Sequence, residues 1–260
     1  MKTNNWPKGM RYAIVLLFTL YAAVPTASAQ SEGGLLLEAG AEKKLSRQWS
    51  LSLDADFRTR NNFKTVDRWS IGLSAEYKPL KWLKASAGYI LLNDHFREDI
   101  SYQTLYDIKT YNNWRPSYWG IRHRLHASLT GSHKFANNIR ISLRERWQYT
   151  YRPEKTVERW DFDNSQWEDK VLSGKGKNQL RSRLQVEYDK KRSLFTPFVS
   201  TEFYHAWAIE KVRFNVGTDI RLNKAHSLTV FYRFQKMHNV DEDEYDPDMH
   251  YLGLGYKFKF

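Results

Sequence analysis

"WSLSLDADFR" (49–58) alternates without a break: Trp49, Leu51, Leu53, Ala55 and Phe57 fall to one side, and Ser50, Ser52, Asp54, Asp56 and Arg58 to the other. Only a strand separates these two sets, because its successive side chains point to opposite faces while a helical face recurs every three to four residues. The pattern returns in "RWSIGLSAEYK" (68–78), "LKASAGYILL" (83–92), "IRHRLHASLT" (121–130), "IRISLRERWQYT" (139–150) and "LRSRLQVEY" (180–188). It continues through "PFVSTEFYH" (197–205), "VRFNVGTDIRL" (212–222), "SLTVFYRFQ" (227–235) and "HYLGLGYKFKF" (250–260), with a less regular "LLLEAGAEKK" (35–44) ahead of them all. Segments of about ten residues match tilted strands crossing an outer membrane. Trp49, Trp69, Tyr77, Trp82, Tyr89, Trp147, Tyr149 and Tyr151 cluster toward segment ends, where the aromatic girdles of such a barrel belong. The pattern predicts an all-β chain: a single antiparallel transmembrane β-barrel of 10–12 strands.

The connections sort by length. Those at 78–81, 131–138, 189–193 and 223–227 are short, and those at 93–117, 152–178 and 236–249 are long, as expected of inner turns and outer loops. Short connections at 59–67 and 206–211 break the alternation. Eleven segments do not close an antiparallel barrel whose two ends share one side, so the expectation is ten strands, with 31–44 incomplete, or twelve, with one unseen. Glu145 falls on the apolar face of its segment, which reads as a bulge or a register error.

Bulk composition narrows the class. A hydrophobic content of 41% with a mean hydropathy of −0.70 excludes a helical membrane protein. The absence of cysteine excludes disulfides, thiol nucleophiles and thiolate metal sites. Lys2, Lys8 and Arg11, then the apolar run 12–24 and "ASAQ" (27–30), are the three parts of a cleavable signal peptide. This gives residues 1–29 as the signal and 30–260 as one outer-membrane barrel domain. Removing the signal leaves 38 of the 41 basic residues against 29 acids.

The hairpin "EKKLSRQWSLSLDADFRTR" (42–60), "VDRWSIGLSAEYK" (66–78), "RHRLHASL" (122–129), "TPFVSTEFY" (196–204) and "HYLGLGYKF" (250–258) resemble a family of Bacteroidota outer-membrane barrels called domain of unknown function 2490. The resemblance covers essentially the whole chain after the signal. It implies outer-membrane localisation after export and a barrel fold, and it brings no catalytic residues with it.

If the apolar faces meet lipid, the polar faces line a lumen. Arg122, Arg124, Arg140, Arg144, Arg146, Arg181 and Arg183 then form a basic wall, and Asp54, Asp56, Glu76, Glu187, Glu202 and Asp219 are the luminal acids. Arginines alternating with apolar residues are not an exposed basic patch, so nucleic acid is excluded as a partner. An open lumen would favour anions. In a narrow one the long side chains meet and pair, with Arg122, Arg144 and Arg183 taking groups such as Asp54, Glu76 and Glu202. The second state is the expectation. Leu252, Leu254, Tyr256, Phe258 and the terminal Phe260 read as the signal for the barrel assembly machinery, and membrane lipid and lipopolysaccharide are the other expected partners.

Catalytic and metal chemistry have little support. His123 and His126 point to opposite faces of a strand and cannot share a metal, so neither a metal nor a cofactor is expected. His126 with Ser128 is the best candidate pair for a lipid- or envelope-modifying enzyme, which stands as the alternative to a non-enzymatic barrel, structural or passing small solutes. The acidic run 241–248 lacks the spacing of a calcium loop. Tyr102, Tyr106, Tyr111, Trp114, Tyr118 and Trp119 are explained by girdle placement and loop packing, with sugar stacking as the alternative.

Overall fold

The structure is a computed structural model that describes residues 31–105, 108–238 and 246–260. The expected signal segment at residues 1–29, Tyr106 and residues 241–245 of the acidic run lie outside the described residues. Alternation becomes strand throughout: β1 (Ser31–Lys44), β2 (Trp49–Arg60), β3 (Thr65–Leu80), β4 (Leu83–Phe96), β5 (Asp99–Leu105), β6 (Ile108–Arg115), β7 (Tyr118–Lys134) and β8 (Ile139–Arg152). There follow β9 (Lys155–Asp161), β10 (Gln166–Leu172), β11 (Lys175–Tyr188), β12 (Phe195–His205), β13 (Ile209–Arg221), β14 (His226–Met237) and β15 (Asp248–Lys259).

Eleven of these strands close into one barrel, in the order β1-β15-β14-β13-β12-β11-β8-β7-β4-β3-β2. The expectation of ten or twelve is corrected. It assumed that the first and last strands run antiparallel, whereas β1 and β15 pair in parallel, from Ser31 opposite Asp248 to Glu42 opposite Lys259. β1 is a full strand that starts at the end of the barrel carrying the long connections. Side chains from the end of β2 and from the β2–β3 turn tie down its first residues: Asn62 Oδ1 accepts from Gly33 N at 2.9 Å, and Thr59 Oγ1 from Leu35 N at 2.8 Å. Arg97 grips Glu32 through two bonds of 2.8 and 2.9 Å.

The two faces separate as the pattern requires. Leu53, Leu73, Leu125, Leu143 and Leu252 are each about half exposed on the outside, while Ser50, Ser70, His126, Gln148, Glu202 and Arg213 are buried within. The interior is therefore polar. Among the described residues, an apolar cluster joins Leu36, Phe231, Met249 and Tyr251, with Phe198 against it. Phe231 stands between two glycines. A Cβ at Gly217 would come within 2.5 Å of the Phe231 Cβ, and one at Gly253 would enter the ring itself. Only glycine leaves room for that ring across the wall.

The long connections hold further strands that the alternation did not reveal. The hairpins β5–β6 and β9–β10 join at Asn113 opposite Asp161 and Trp114 opposite Trp160, making a separate four-stranded sheet. Aromatic contacts hold it together: Trp167 packs on Trp114 and Trp160 at 5.7 and 5.5 Å, and Tyr111 on Tyr102 and Phe162 at 5.3 and 5.4 Å. Tyr118 stacks on Phe96 and Trp119 on His95, both at 4.9 Å, where the chain re-enters the barrel.

Candidate functional site: paired charges in the barrel interior

Alternation on β8, β11, β12 and β13 sends a layer of charged side chains into the barrel interior. Glu202 is the hub. Its carboxylate accepts from Arg144 at 2.6 Å, from Arg181 at 3.0 Å and from the Tyr204 hydroxyl at 3.0 Å, and Arg213 stands at 4.0 Å. Tyr204 in turn accepts from Arg213, and its ring lies under Arg181, Lys211 and Arg213 at 4.4, 4.5 and 4.7 Å. Gln235 accepts from Arg213 Nε at 2.8 Å. The side chain of Glu202 is only 6% exposed and that of Arg213 8%. These side chains meet inside the barrel, beside the luminal cavity described below.

A second layer lies toward the long connections. Asp94 is held by both Arg68 and Arg122. Asp56 accepts from Arg58 at 2.6 Å and from the Ser70 hydroxyl at 2.8 Å. At the short-turn end, Lys84 meets Glu76 at 2.5 Å, Lys257 meets Glu42 at 2.8 Å, and Arg140 meets Glu187 at 3.0 Å and also Asp189. Asp219 accepts from the Thr229 hydroxyl at 2.6 Å, and Arg124 donates to Thr150 at 2.9 Å.

The expected partners differ in detail. Arg144 does pair with Glu202, reaching across the intervening β11, but Arg122 takes Asp94 and Glu76 takes Lys84, each on the adjacent strand. Arg183, Arg146 and Asp54 make no ion pair or hydrogen bond among the described residues. Arg146 and Asp54 instead line, with Glu38, Asp56, His126 and Arg144, a cavity of about 400 Å³ beside the plug. Arg58, Arg68, Asp94, Lys211 and Arg213 were not assigned to the wall from sequence. Asp94 follows the last regular alternation of its segment, and the others lie on strands whose inner faces are not arginine-rich.

His126 and Ser128 both face inward without forming a pair. Ser128 Oγ bonds Ser86 Oγ at 2.7 Å, and the His126 ring lies over Gly88, where a Cβ would sit 2.8 Å from its Nε2. His123 points outward and bonds the Tyr89 hydroxyl at 2.6 Å. No group of three or more His, Asp or Glu side chains among the described residues is placed to hold a metal ion. Glu145 corrects another expectation. The β8 ladders with β7 and β11 run through it without a register shift, so it stands on the outer face with neither bulge nor slip.

Fold and lumen together define a closed β-barrel whose charged interior is paired in part. The chain belongs to the family described as protein of unknown function (DUF2490), whose model matches residues 33–246. No curated protein matches it. Among solved structures it is similar to the beta domain of the Bordetella autotransporter BrkA, with 11% identity and a TM-score of 0.50 over 89% of this chain and 100% of that one. That likeness is one of fold.

Proposed function

We propose that this chain is an integral outer-membrane β-barrel whose lumen is shut by its own side chains, leaving a structural role or narrow passage of small solutes. The observation that carries the reading is Glu202, gripped by Arg144 and Arg181 across the barrel interior. The half-exposed leucines of the outer wall support the membrane setting, since water-facing strands seldom present so continuous an apolar band. The fold likeness to an autotransporter beta domain points the same way. Residues 1–29 are the proposed export signal. Lipid and lipopolysaccharide are the proposed surroundings, and the barrel assembly machinery is the proposed partner during insertion.

On β15, Leu252, Leu254, Tyr256 and Phe258 face outward and Phe260 follows, stacked on Phe258 at 5.2 Å. Fractionated cells should yield the protein in the outer membrane as a band whose gel mobility changes on heating. Deleting Phe260 should deplete that band far more than deleting one residue at 163–165 in the β9–β10 turn. Recovery of the full-length chain in the soluble periplasm would overturn the membrane setting, and equal membrane levels of the two deletions would overturn the role of the terminus.

A further inference from the structure

Glu145 is a carboxylate on a wall where its strand neighbours Ile141, Leu143 and Trp147 are apolar. A charged group on a barrel's lipid face costs up to a few kcal/mol, so its presence there calls for a reason. Its partners come from the next two strands. Ser182 on β11 lies directly opposite Glu145 in the ladder and donates its hydroxyl proton to Glu145 Oε2 at 2.7 Å. On the other side of the same hydroxyl, His205 Nε2 on β12 stands 3.1 Å from Ser182 Oγ. A serine hydroxyl has one proton, and here it points at Glu145, so the contact to His205 requires the imidazole N–H as donor.

We infer that Ser182, Glu145 and His205 form a lipid-facing acyl-transfer site, with Ser182 as nucleophile and the acyl ester of a membrane lipid as substrate. The inference rests on the outer wall lying in lipid. A nucleophile within hydrogen-bond reach of a base is the arrangement such chemistry needs. Around the three polar groups, Leu143, Trp147, Leu180, Leu184 and Phe203 are 38–52% exposed and form an apolar frame along which an acyl chain can lie. Trp147 and Tyr149 place the cluster beside one aromatic girdle, the level at which the ester linkages of a lipid leaflet sit.

The steps balance with water as the only co-reactant. Ser182 Oγ attacks the ester carbonyl carbon as its proton passes to Glu145. Backbone N–H groups here are committed to the ladders with β8 and β12, so His205 Nε2–H is the donor nearest the developing oxyanion. The ester C–O bond then breaks, the leaving alkoxide takes the proton from Glu145, and the acyl group remains on Ser182. A water attacks that acyl-serine and gives a proton to Glu145, which returns it to the departing Ser182 oxygen as the fatty acid leaves.

The test uses the full barrel inserted into vesicles of dioleoylphosphatidylcholine, and separately into vesicles carrying lipid A. Free fatty acid is followed by mass spectrometry, and a fluorophosphonate probe reports the reactive serine. Release from one vesicle type assigns phospholipid or lipid A as the source of the ester. Label should map to Ser182. Ser182→Ala should abolish both readouts, Glu145→Gln should slow release by about a hundredfold or more, and the luminal Ser128→Ala should leave both unchanged. An inserted barrel, shown by its heat-dependent mobility, that releases nothing and takes no label overturns the site while leaving the membrane reading intact. Release that survives Ser182→Ala overturns it equally. Failure to insert overturns both readings.

Discussion

Replacing Glu202 with glutamine is expected to destabilise the barrel by about 3–5 kcal/mol, the cost of removing one partner from a buried, hydrogen-bonded charge cluster. The size follows from what is left behind. Arg144, Arg181 and Arg213 converge on one carboxylate whose side chain is 6% exposed, and Lys211 stands over the same Tyr204 ring. Without the carboxylate, these buried cations face one another unscreened by a counter-charge. Equilibrium urea unfolding in phospholipid vesicles, followed by tryptophan fluorescence, measures the shift. A second substitution, Arg144→Gln in the Glu202→Gln background, should recover part of the loss by removing one of the stranded cations. If Glu202→Gln unfolds at the wild-type midpoint, the arginines are solvated and the lumen holds open water.

The second large effect is expected at Phe231. It is 6% exposed and lies at the centre of the interior's apolar cluster, against Leu36, Met249 and Tyr251. Phe231→Ala empties the space that Gly217 and Gly253 leave for the ring, and large-to-small changes of this kind cost about 3–5 kcal/mol. The cluster bridges β1, β14 and β15, so the loss falls on the parallel seam that closes the barrel. Unfolding of Phe231→Ala should begin at β1, seen as early hydrogen exchange in residues 34–42. Exchange that accelerates evenly around the barrel would show that the ring does not pin the seam.

The fold was legible because a two-sided wall writes its two environments into alternate residues. Trp49 to Phe57 outward and Ser50 to Arg58 inward need no tertiary information, and the same holds for ten further segments. Strand count was not legible in the same way. Parity depends on how β1 meets β15, a pairing between residues more than 200 positions apart, and nothing in "LLLEAGAEKK" says whether its partner runs with it or against it. The strands of the separate sheet were hidden because β5, β6, β9 and β10 are only seven or eight residues long, too short for an alternation to stand out.

The luminal residues were readable as a set, and their pairing was not. Inward parity names Arg122, Arg144 and Glu202, but which carboxylate meets which arginine depends on the stagger between strands. Asp94 shows this: one residue outside the regular pattern of its segment takes two arginines. Glu145 shows the converse. Its misfit with the apolar face was visible in sequence, and its hydrogen-bonded neighbours lay 37 and 60 residues downstream at Ser182 and His205, brought beside it by ladder register.

The closed lumen is tested most directly by current through a single barrel in a planar bilayer. With Glu202 bound to Arg144 and Arg181, and Asp94 bound to Arg68 and Arg122, no continuous aqueous path is expected, and conductance should stay near the bilayer baseline. Replacing Arg122, Arg144 and Arg183 with glutamate should then destabilise the protein without creating an ion-selective channel, because like charges are forced together in a confined space. A large, stable, anion-selective conductance from the wild-type protein, reversing its selectivity in that variant, would contradict the account.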